Sequence, residues 1–180
     1  MKQEFTLSIY SENHVGLLNQ VTTVFTRRHI NIESLNTSES AIPGIHKFTI
    51  VVFTSREQVN KLVLQIEKRI DVIKAYVFTA DEIVHQEMAL YKVKTETLLN
   101  SNEIERLVRQ YGARILEVTK EYTVIEKTGH KRETQELFDK LDRFGVQQFV
   151  RSGRIAVTKL KDELLSNYLK KLEKEKSLLD

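Results

Sequence analysis

The chain contains no cysteine among its 180 residues. This absence excludes disulfide bonds, thiolate nucleophiles and cysteine-ligated zinc, and it suits a reducing compartment. Long apolar runs are also lacking, since stretches such as residues 50–53 are far too short to cross a bilayer. The first residues, MKQEF, lack the pattern of a secretory signal. These absences predict a soluble, cytoplasmic protein with no membrane association.

A surplus of one charge sign is missing as well. The 28 basic and 25 acidic residues are intermixed and give a formal net charge of +3, and residues 1–84 hold nine of each. A nucleic-acid binder would instead present a clustered basic surface. A ferredoxin-like RNA-binding domain needs paired aromatic residues on its central strands, and KFTIVVFT supplies Phe48 without the usual basic and aromatic motif around it. We therefore predict no nucleic-acid partner.

Motifs for catalysis or metal binding are also absent from the sequence. The five histidines, at positions 14, 29, 46, 85 and 130, lack the i, i+4 pairing of a helical metal site. No G-x-S-x-G, P-loop or G-x-G-x-x-G segment occurs. The acidic residues are interleaved with lysine and arginine, which is typical of a solvated surface. The sequence predicts no catalytic residue and no metal ligand in this chain, and it favours a binding protein.

What the sequence does contain is one pattern of strands and helices that occurs twice. Residues 4–79 alternate between the period of strands and that of helices in the order βαββαβ, and residues 87–159 repeat this order. A shift of 83 positions sets Val24, Phe25, Ile30 and Ile32 over Leu107, Val108, Ala113 and Ile115 without a gap. We predict an α+β protein with two ferredoxin-like domains in tandem. The predicted parts are residues 1–79, a linker at 80–86, residues 87–159 and a charged helical tail at 160–180.

Several helix boundaries can be predicted from local signals. The first helix is expected to end near Arg28, and Ser55 with Gln58 forms a capping box for a second helix whose apolar stripe runs to Ile70. Asn100 and Ser101 are predicted caps in the second half. The tail has a narrow apolar stripe, which leaves two interpretations open. It is either a solvated helix folded back on its own domain or a docking helix for a partner.

The stretch SENHVGLLNQVTTVF places Asn13, His14, Val15 and Gly16 between the first strand and the first helix. The first amides of a helix have no partner inside it, and together with the helix dipole they favour an anion such as a carboxylate. In the alternative interpretation, Asn13 only caps the helix and Gly16 only eases a turn, so that the same amides are satisfied without a ligand. The local sequence leaves both interpretations open.

Residues 12–35, ENHVGLLNQVTTVFTRRHINIESL, are similar to the opening motif of the small regulatory subunits of acetolactate synthase (acetohydroxyacid synthase), whose first domain is an ACT domain. DVIKAYVF, EMALYKV and FGVQQFVRSGRIAVTK resemble further segments of that family, in order over nearly the whole chain. The resemblance implies a non-catalytic regulatory subunit of branched-chain amino acid biosynthesis. Such a subunit activates the catalytic large subunit and confers feedback inhibition by a branched-chain amino acid, usually valine. Thiamine diphosphate, Mg²⁺ and FAD then belong to the catalytic partner, and this chain carries no cofactor.

The resemblance also implies a homodimer whose ACT domains pair side by side, with the effector bound between them. In the family, an Asn-x-x-Gly loop of one subunit and an Asn-Ile pair of the other hold the effector. The implied effector-binding residues of this chain are Asn13, His14, Val15, Gly16, Leu17, Leu18, Asn31 and Ile32. His14, Val15 and His29 depart from the family, in which small, polar or proline residues are commoner at the first two positions and glycine at the third. The alternative function is a free-standing tandem-ACT regulator that senses an amino acid and acts on a transcription factor or another enzyme.

The isolated protein is expected to form a homodimer through residues 1–79, because the implied effector site takes Asn31 from a second chain. Light scattering at high protein concentration, with valine present, measures the mass in solution. A monomer under these conditions would contradict the shared site.

Overall fold

The computed structural model describes residues 1–99 and 102–178, which form two compact units. The first unit comprises Met1–Val84 together with the chain from Ala156 onward, and the second is His85–Ile155. The predicted boundaries at residues 79, 86 and 159 differ from this division, which groups the C-terminal segment with the first unit. No helix in the described part of the chain combines the length and apolar character that a membrane crossing requires.

The first unit has an antiparallel sheet with strand order β2-β3-β1-β4 and two helices packed on one face. Alternate residues of its central strand, Phe5, Leu7 and Ile9, are fully buried against the helices. Its elements are β1 (Lys2–Glu12), α1 (Leu17–Arg27), β2 (Ile32–Glu39), β3 (Ile45–Ser55), α2 (Arg56–Ile66) and β4 (Val72–Phe78). This is the predicted βαββαβ order.

The second unit repeats this plan with strand order β6-β7-β5-β8. Tyr91 of its central strand is fully buried, and its hydroxyl donates to the carbonyl oxygen of Thr134 at 2.6 Å. The elements are β5 (Ile83–Lys94), α3 (Thr95–Leu99), α4 (Asn102–Gln110), β6 (Arg114–Val118), β7 (Tyr122–Gly129), α5 (Lys131–Asp142) and β8 (Val146–Arg151). The predicted caps Asn100 and Ser101 lie outside the described residues.

The predicted fold class, two ferredoxin-like domains followed by a C-terminal helix, is confirmed, but some boundaries differ. Ser55 caps α2 as predicted, because its hydroxyl accepts a hydrogen bond from the amide of Gln58 at 3.2 Å. The stripe of α2 was predicted to reach Ile70, and that prediction is wrong: the helix ends at Ile66, and Ile70 is 96% exposed. The chain turns there because β4 must begin at Val72, which pairs with Ser11 of β1. Within the predicted linker at residues 80–86, a short 3₁₀ helix (Ala80–Glu82) leads directly into β5.

The C-terminal segment, with β9 (Ile155–Thr158) and α6 (Leu164–Ser177), explains a second buried surface in the first unit. Thr6, Ser8 and Thr49 lie on the face of the sheet opposite the two helices, yet each is less than 5% exposed. Phe78, Ile83 and Ala156 form an apolar cluster with Tyr76 and Leu164. The first unit is thus covered on both faces of its sheet.

Polar contacts fix this segment in place. The Tyr76 hydroxyl donates to the carbonyl oxygen of Leu164 at 3.1 Å, and burial raises the pKa of Tyr76 to about 12. Lys47 Nζ donates to the carbonyl oxygen of Ala156 at 2.9 Å, and burial lowers the pKa of Lys47. The Glu163 carboxylate accepts hydrogen bonds from the amides of Leu165 and Ser166 and so caps α6. The C-terminal segment therefore packs on the first domain.

Replacing Leu165 by alanine should lower the free energy of unfolding by about 2–5 kcal/mol, because this side chain is only 1% exposed. Leu160→Ala is the matched control in the same segment. Leu160 is 59% exposed, so its truncation should change stability by less than about 0.5 kcal/mol. Denaturant unfolding of the two variants measures the difference, and equal effects would show that the segment does not pack as described.

Candidate functional site

Gly16 occupies the N-cap position of α1, with φ of 87° and ψ of −6°. This left-handed conformation favours glycine, because a side chain at positive φ is strained. Crowding is not the reason for the glycine, since a Cβ added there would meet nothing within 4 Å. The backbone conformation of the loop alone therefore accounts for Gly16.

The first turn of α1 is left open. No side chain in the described part of the chain caps this helix, so the interpretation in which Asn13 is the cap does not hold. The amide of Leu17 lies 3.3 Å from the carbonyl oxygen of His14, and no hydrogen bond from the amides of Leu18 or Asn19 is found among the described residues. Two free amides at the positive end of a helix dipole attract an anion.

His14 lies between two carboxylates at the edge of this loop. Its Nε2 is 3.4 Å from Glu12 Oε2, and its Nδ1 is 3.4 Å from Asp71 Oδ1. One ligand-type atom from each of the three side chains lies within 4.8 Å of the others. Each ring nitrogen of His14 thus faces a different carboxylate.

This cluster has little signature in the sequence, because Asp71 is remote along the chain from Glu12 and His14. The pairing of β4 with β1 brings it close, and the amide of Glu12 donates to the carbonyl oxygen of Asp71 at 3.0 Å. The Glu12 and Asp71 carboxylates lie near the start of α1, where negative charge repels an anion. This cluster therefore bears directly on the electrostatics of the loop.

The apolar residues predicted to surround the ligand differ in their exposure to solvent. Leu17 is 2% exposed and belongs to the core of the first unit, so its side chain anchors α1 and does not face a ligand. Val15 is fully exposed and Leu18 is 43% exposed. Beside the loop, Val15 and Leu18 are thus the predicted apolar residues available to a small molecule.

Asn31 lies at the surface immediately before β2. Its Nδ2 donates to Glu33 Oε1 at 2.9 Å, and both residues are exposed. This bond orients the amide so that its oxygen remains available to accept a hydrogen bond from an ammonium group. Ile32 is half-buried against the core. Glu33 was not among the predicted site residues, although its carboxylate would also attract a cation.

His29, the departure from glycine at the end of α1, takes a left-handed conformation. It is the one non-glycine residue with positive φ, 52°, among the residues described. Its amide donates to the carbonyl oxygen of Thr26 at 3.0 Å, and the amide of Ile30 donates to that of Phe25 at 3.1 Å. The helix end is therefore closed in the usual way despite the substitution, and the chain reaches Asn31 in a defined direction.

The Gly16 loop and Asn31 lie at opposite ends of the sheet. β1 and β2 are each antiparallel to β3, so they run parallel to each other. Phe5 and Ile32 are both paired with Val52, so Ile32 lies level with Phe5. Since a strand rises by about 3.3 Å per residue, the end of β1 lies roughly 23 Å further along the strand axis. A single chain cannot bring its own Asn31 to its own loop.

A second copy of the chain removes this separation. β2 is an edge strand, so its outer edge is available for pairing. If β2 pairs with β2 of a second chain about a two-fold axis, the two strands run antiparallel. The second chain's Asn31 then lies at the same end of the joint sheet as the Gly16 loop.

Among the described residues of the second unit, no open loop separates β5 from the helix that follows it. α3 follows β5 directly, and Thr95 at the junction is buried with its hydroxyl 2.9 Å from that of Thr123. The amide of Thr95 donates to the carbonyl oxygen of Glu121 at 3.2 Å. The start of α3 is thus closed by contacts within the unit, in contrast to the start of α1.

Two family models match the chain, one in each half. Residues 7–74 match a model described as the AHAS small subunit-like ACT domain, and residues 86–160 match a model described as the small subunit of acetolactate synthase. The matched ranges contain all the predicted effector-binding residues and most of the second domain. Most of the tail lies beyond both matches.

Curated relatives and a solved structure match over most of their length. An acetolactate synthase small subunit of Bacillus subtilis (strain 168) is 32% identical over 157 residues, which is 87% of this chain and 90% of the relative. One from Mycobacterium leprae is 34% identical over 154 residues, which is 86% of this chain and 90% of the relative. The crystal structure of the acetolactate synthase small subunit from Thermotoga maritima superposes with a TM-score of 0.81 at 27% identity, and the match covers 89% of this chain and 99% of that one.

Proposed function

Since this chain belongs to the family of acetolactate synthase small subunits, we propose that it is the non-catalytic regulatory subunit of an acetolactate synthase. It binds the catalytic large subunit and raises its activity. It also confers feedback inhibition by a branched-chain amino acid, and valine is the proposed effector. Thiamine diphosphate, Mg²⁺ and FAD are proposed to reside in the catalytic partner, whereas this chain needs no cofactor.

The observation that carries the proposal is the open start of α1 beside Gly16. An amino acid effector has a carboxylate, an ammonium group and a side chain, and each needs its own contact. The free amides of Leu18 and Asn19 suit the carboxylate, because the helix dipole adds a partial positive charge. Val15 and Leu18 offer apolar surface to a branched side chain.

The ammonium group is proposed to contact Asn31 of a second chain. The Asn31 amide oxygen is free to accept, and the nearby Glu33 carboxylate favours a cation. Strand direction supports this division, because Asn31 lies at the far end of the sheet within one chain. The proposed protein is therefore a homodimer with two equivalent effector sites across the β2 edges.

The second unit is proposed to serve contact with the large subunit. No open loop separates β5 from α3 in its described part, and its edge strand β6 is exposed at every residue, including the apolar Ile115, Leu116 and Val118. Exposed apolar edge strands pair readily with other chains. Co-purification with a large thiamine-dependent subunit tests this part of the proposal, and capture of a transcription factor instead would favour the alternative regulator.

Gly16→Asp should abolish or weaken inhibition by valine while activation of the large subunit persists. The new carboxylate would lie roughly 4 Å from that of the effector, which costs about 1 kcal/mol with full water screening and about 4 kcal/mol at the dielectric of a protein surface. Valine affinity should therefore fall by about fivefold to a thousandfold. Isothermal titration measures the affinity, and activity assays with and without valine measure the regulation.

Two controls separate charge from backbone strain. Gly16→Ala places a side chain at the same φ of 87° without a charge. Gly145→Asp adds the same charge at a φ of 80° between α5 and β8 of the second unit, where an added Cβ also meets nothing within 4 Å. Both controls should bind valine more tightly than Gly16→Asp. Unchanged valine affinity in Gly16→Asp would place the effector site elsewhere.

A further inference from the structure

A basic pocket lies in the first unit, between the end of α1 and the turn after α2. It has a volume of about 580 Å³ and is partly open to solvent. Its polar lining includes Arg27, Arg28, His29, Gln65, Lys68 and Arg69. None of the residues that line it is acidic. The pocket shares no residue with the proposed effector site.

The composition of the first unit does not explain why so many basic residues line this pocket. Residues 1–84 contain nine basic and nine acidic residues, yet four of those nine basic residues line this one pocket. In the described part of the chain, no ion pair involves Arg27, Arg28, Lys68 or Arg69. The four charges are therefore available to a ligand and not neutralised by neighbours.

The helix dipoles do not account for so many cations. Each helix end has a partial charge of about half an electron, so one basic side chain per helix is ample. Arg27 fills this role in the last turn of α1, and the last turn of α2 has no basic residue. The remaining cations exceed what the helix ends require.

One side chain of the pocket is already held in position. Arg28 Nε donates to Gln65 Oε1 at 2.6 Å, which ties the end of α1 to α2. This bond uses one of the five donors of the guanidinium and leaves the others for an anion. A guanidinium with its position fixed loses less side-chain entropy on binding than a mobile one.

We propose that this basic pocket binds a small molecule that carries a diphosphate group. Several converging cations without a carboxylate suit a ligand with multiple negative charges, and guanidinium groups match phosphate oxygens in geometry. The volume falls within the range of small-molecule sites, and it exceeds the needs of a diphosphate alone. Val24 and Ile30 also line the pocket and supply apolar surface for an organic group attached to the phosphates.

Isothermal titration of the full-length protein with inorganic pyrophosphate tests this site. Arg28→Gln and Arg69→Gln should each weaken pyrophosphate binding by about tenfold, because each removes a charge-assisted contact. Arg106→Gln on α4 is the matched control. It is the same substitution at an exposed position of the second unit, and it should leave the affinity within about twofold once salt screens long-range attraction.

Thermal melting of each variant establishes that it is folded before titration. Pyrophosphate that fails to bind, or that binds Arg106→Gln as weakly as Arg28→Gln, would overturn the proposal. Equal affinity for orthophosphate would overturn the preference for a diphosphate. Binding of polyglutamate in place of pyrophosphate would identify the pocket as a contact for an acidic protein and overturn it too. A nucleoside diphosphate that binds more tightly than pyrophosphate would support the role of the apolar surface.

Discussion

The parallel direction of β1 and β2 is the constraint on which the effector-site account depends. Both strands are antiparallel to β3, and Ile32 is level with Phe5 and not with the end of β1. The open start of α1 and the Asn31 amide are therefore far apart within one chain. A two-fold axis along the β2 edge is the simplest arrangement that unites them, and under the proposed function it makes effector binding depend on dimerisation.

Much of the fold could be predicted from sequence, because apolar periodicity reports burial directly. The repeat of βαββαβ, the Ser55 cap and the family were all predicted and are confirmed. The end of α2 was placed too late, because Ile70 continues the apolar spacing although the chain has already turned toward β4. Local periodicity gives no information about where a strand must begin to pair.

The candidate site was less predictable, because its features depend on contacts between distant residues. The positive φ of Gly16 follows from its place in the loop, but the absence of a cap from Asn13 could be learned only from the structure. Asp71 beside His14 and Glu33 beside Asn31 depend on strand pairing and side-chain orientation. The same holds for the C-terminal segment, whose narrow stripe did not reveal that it covers the sheet of the first unit. The effector-binding residues themselves stay a prediction.

Valine binding by mixed dimers tests the shared site most directly. Gly16→Asp damages the loop, Asn31→Ala damages the amide, and a dimer with one chain of each kind can be isolated with two different affinity tags. If the site is shared as proposed, one effector site of the mixed dimer contains both substitutions and the other site contains neither. Titration should therefore recover half of the wild-type binding sites at wild-type affinity, although neither parent variant binds well. If each site lies within one chain, both pockets stay damaged, and the absence of any recovery would contradict the shared site.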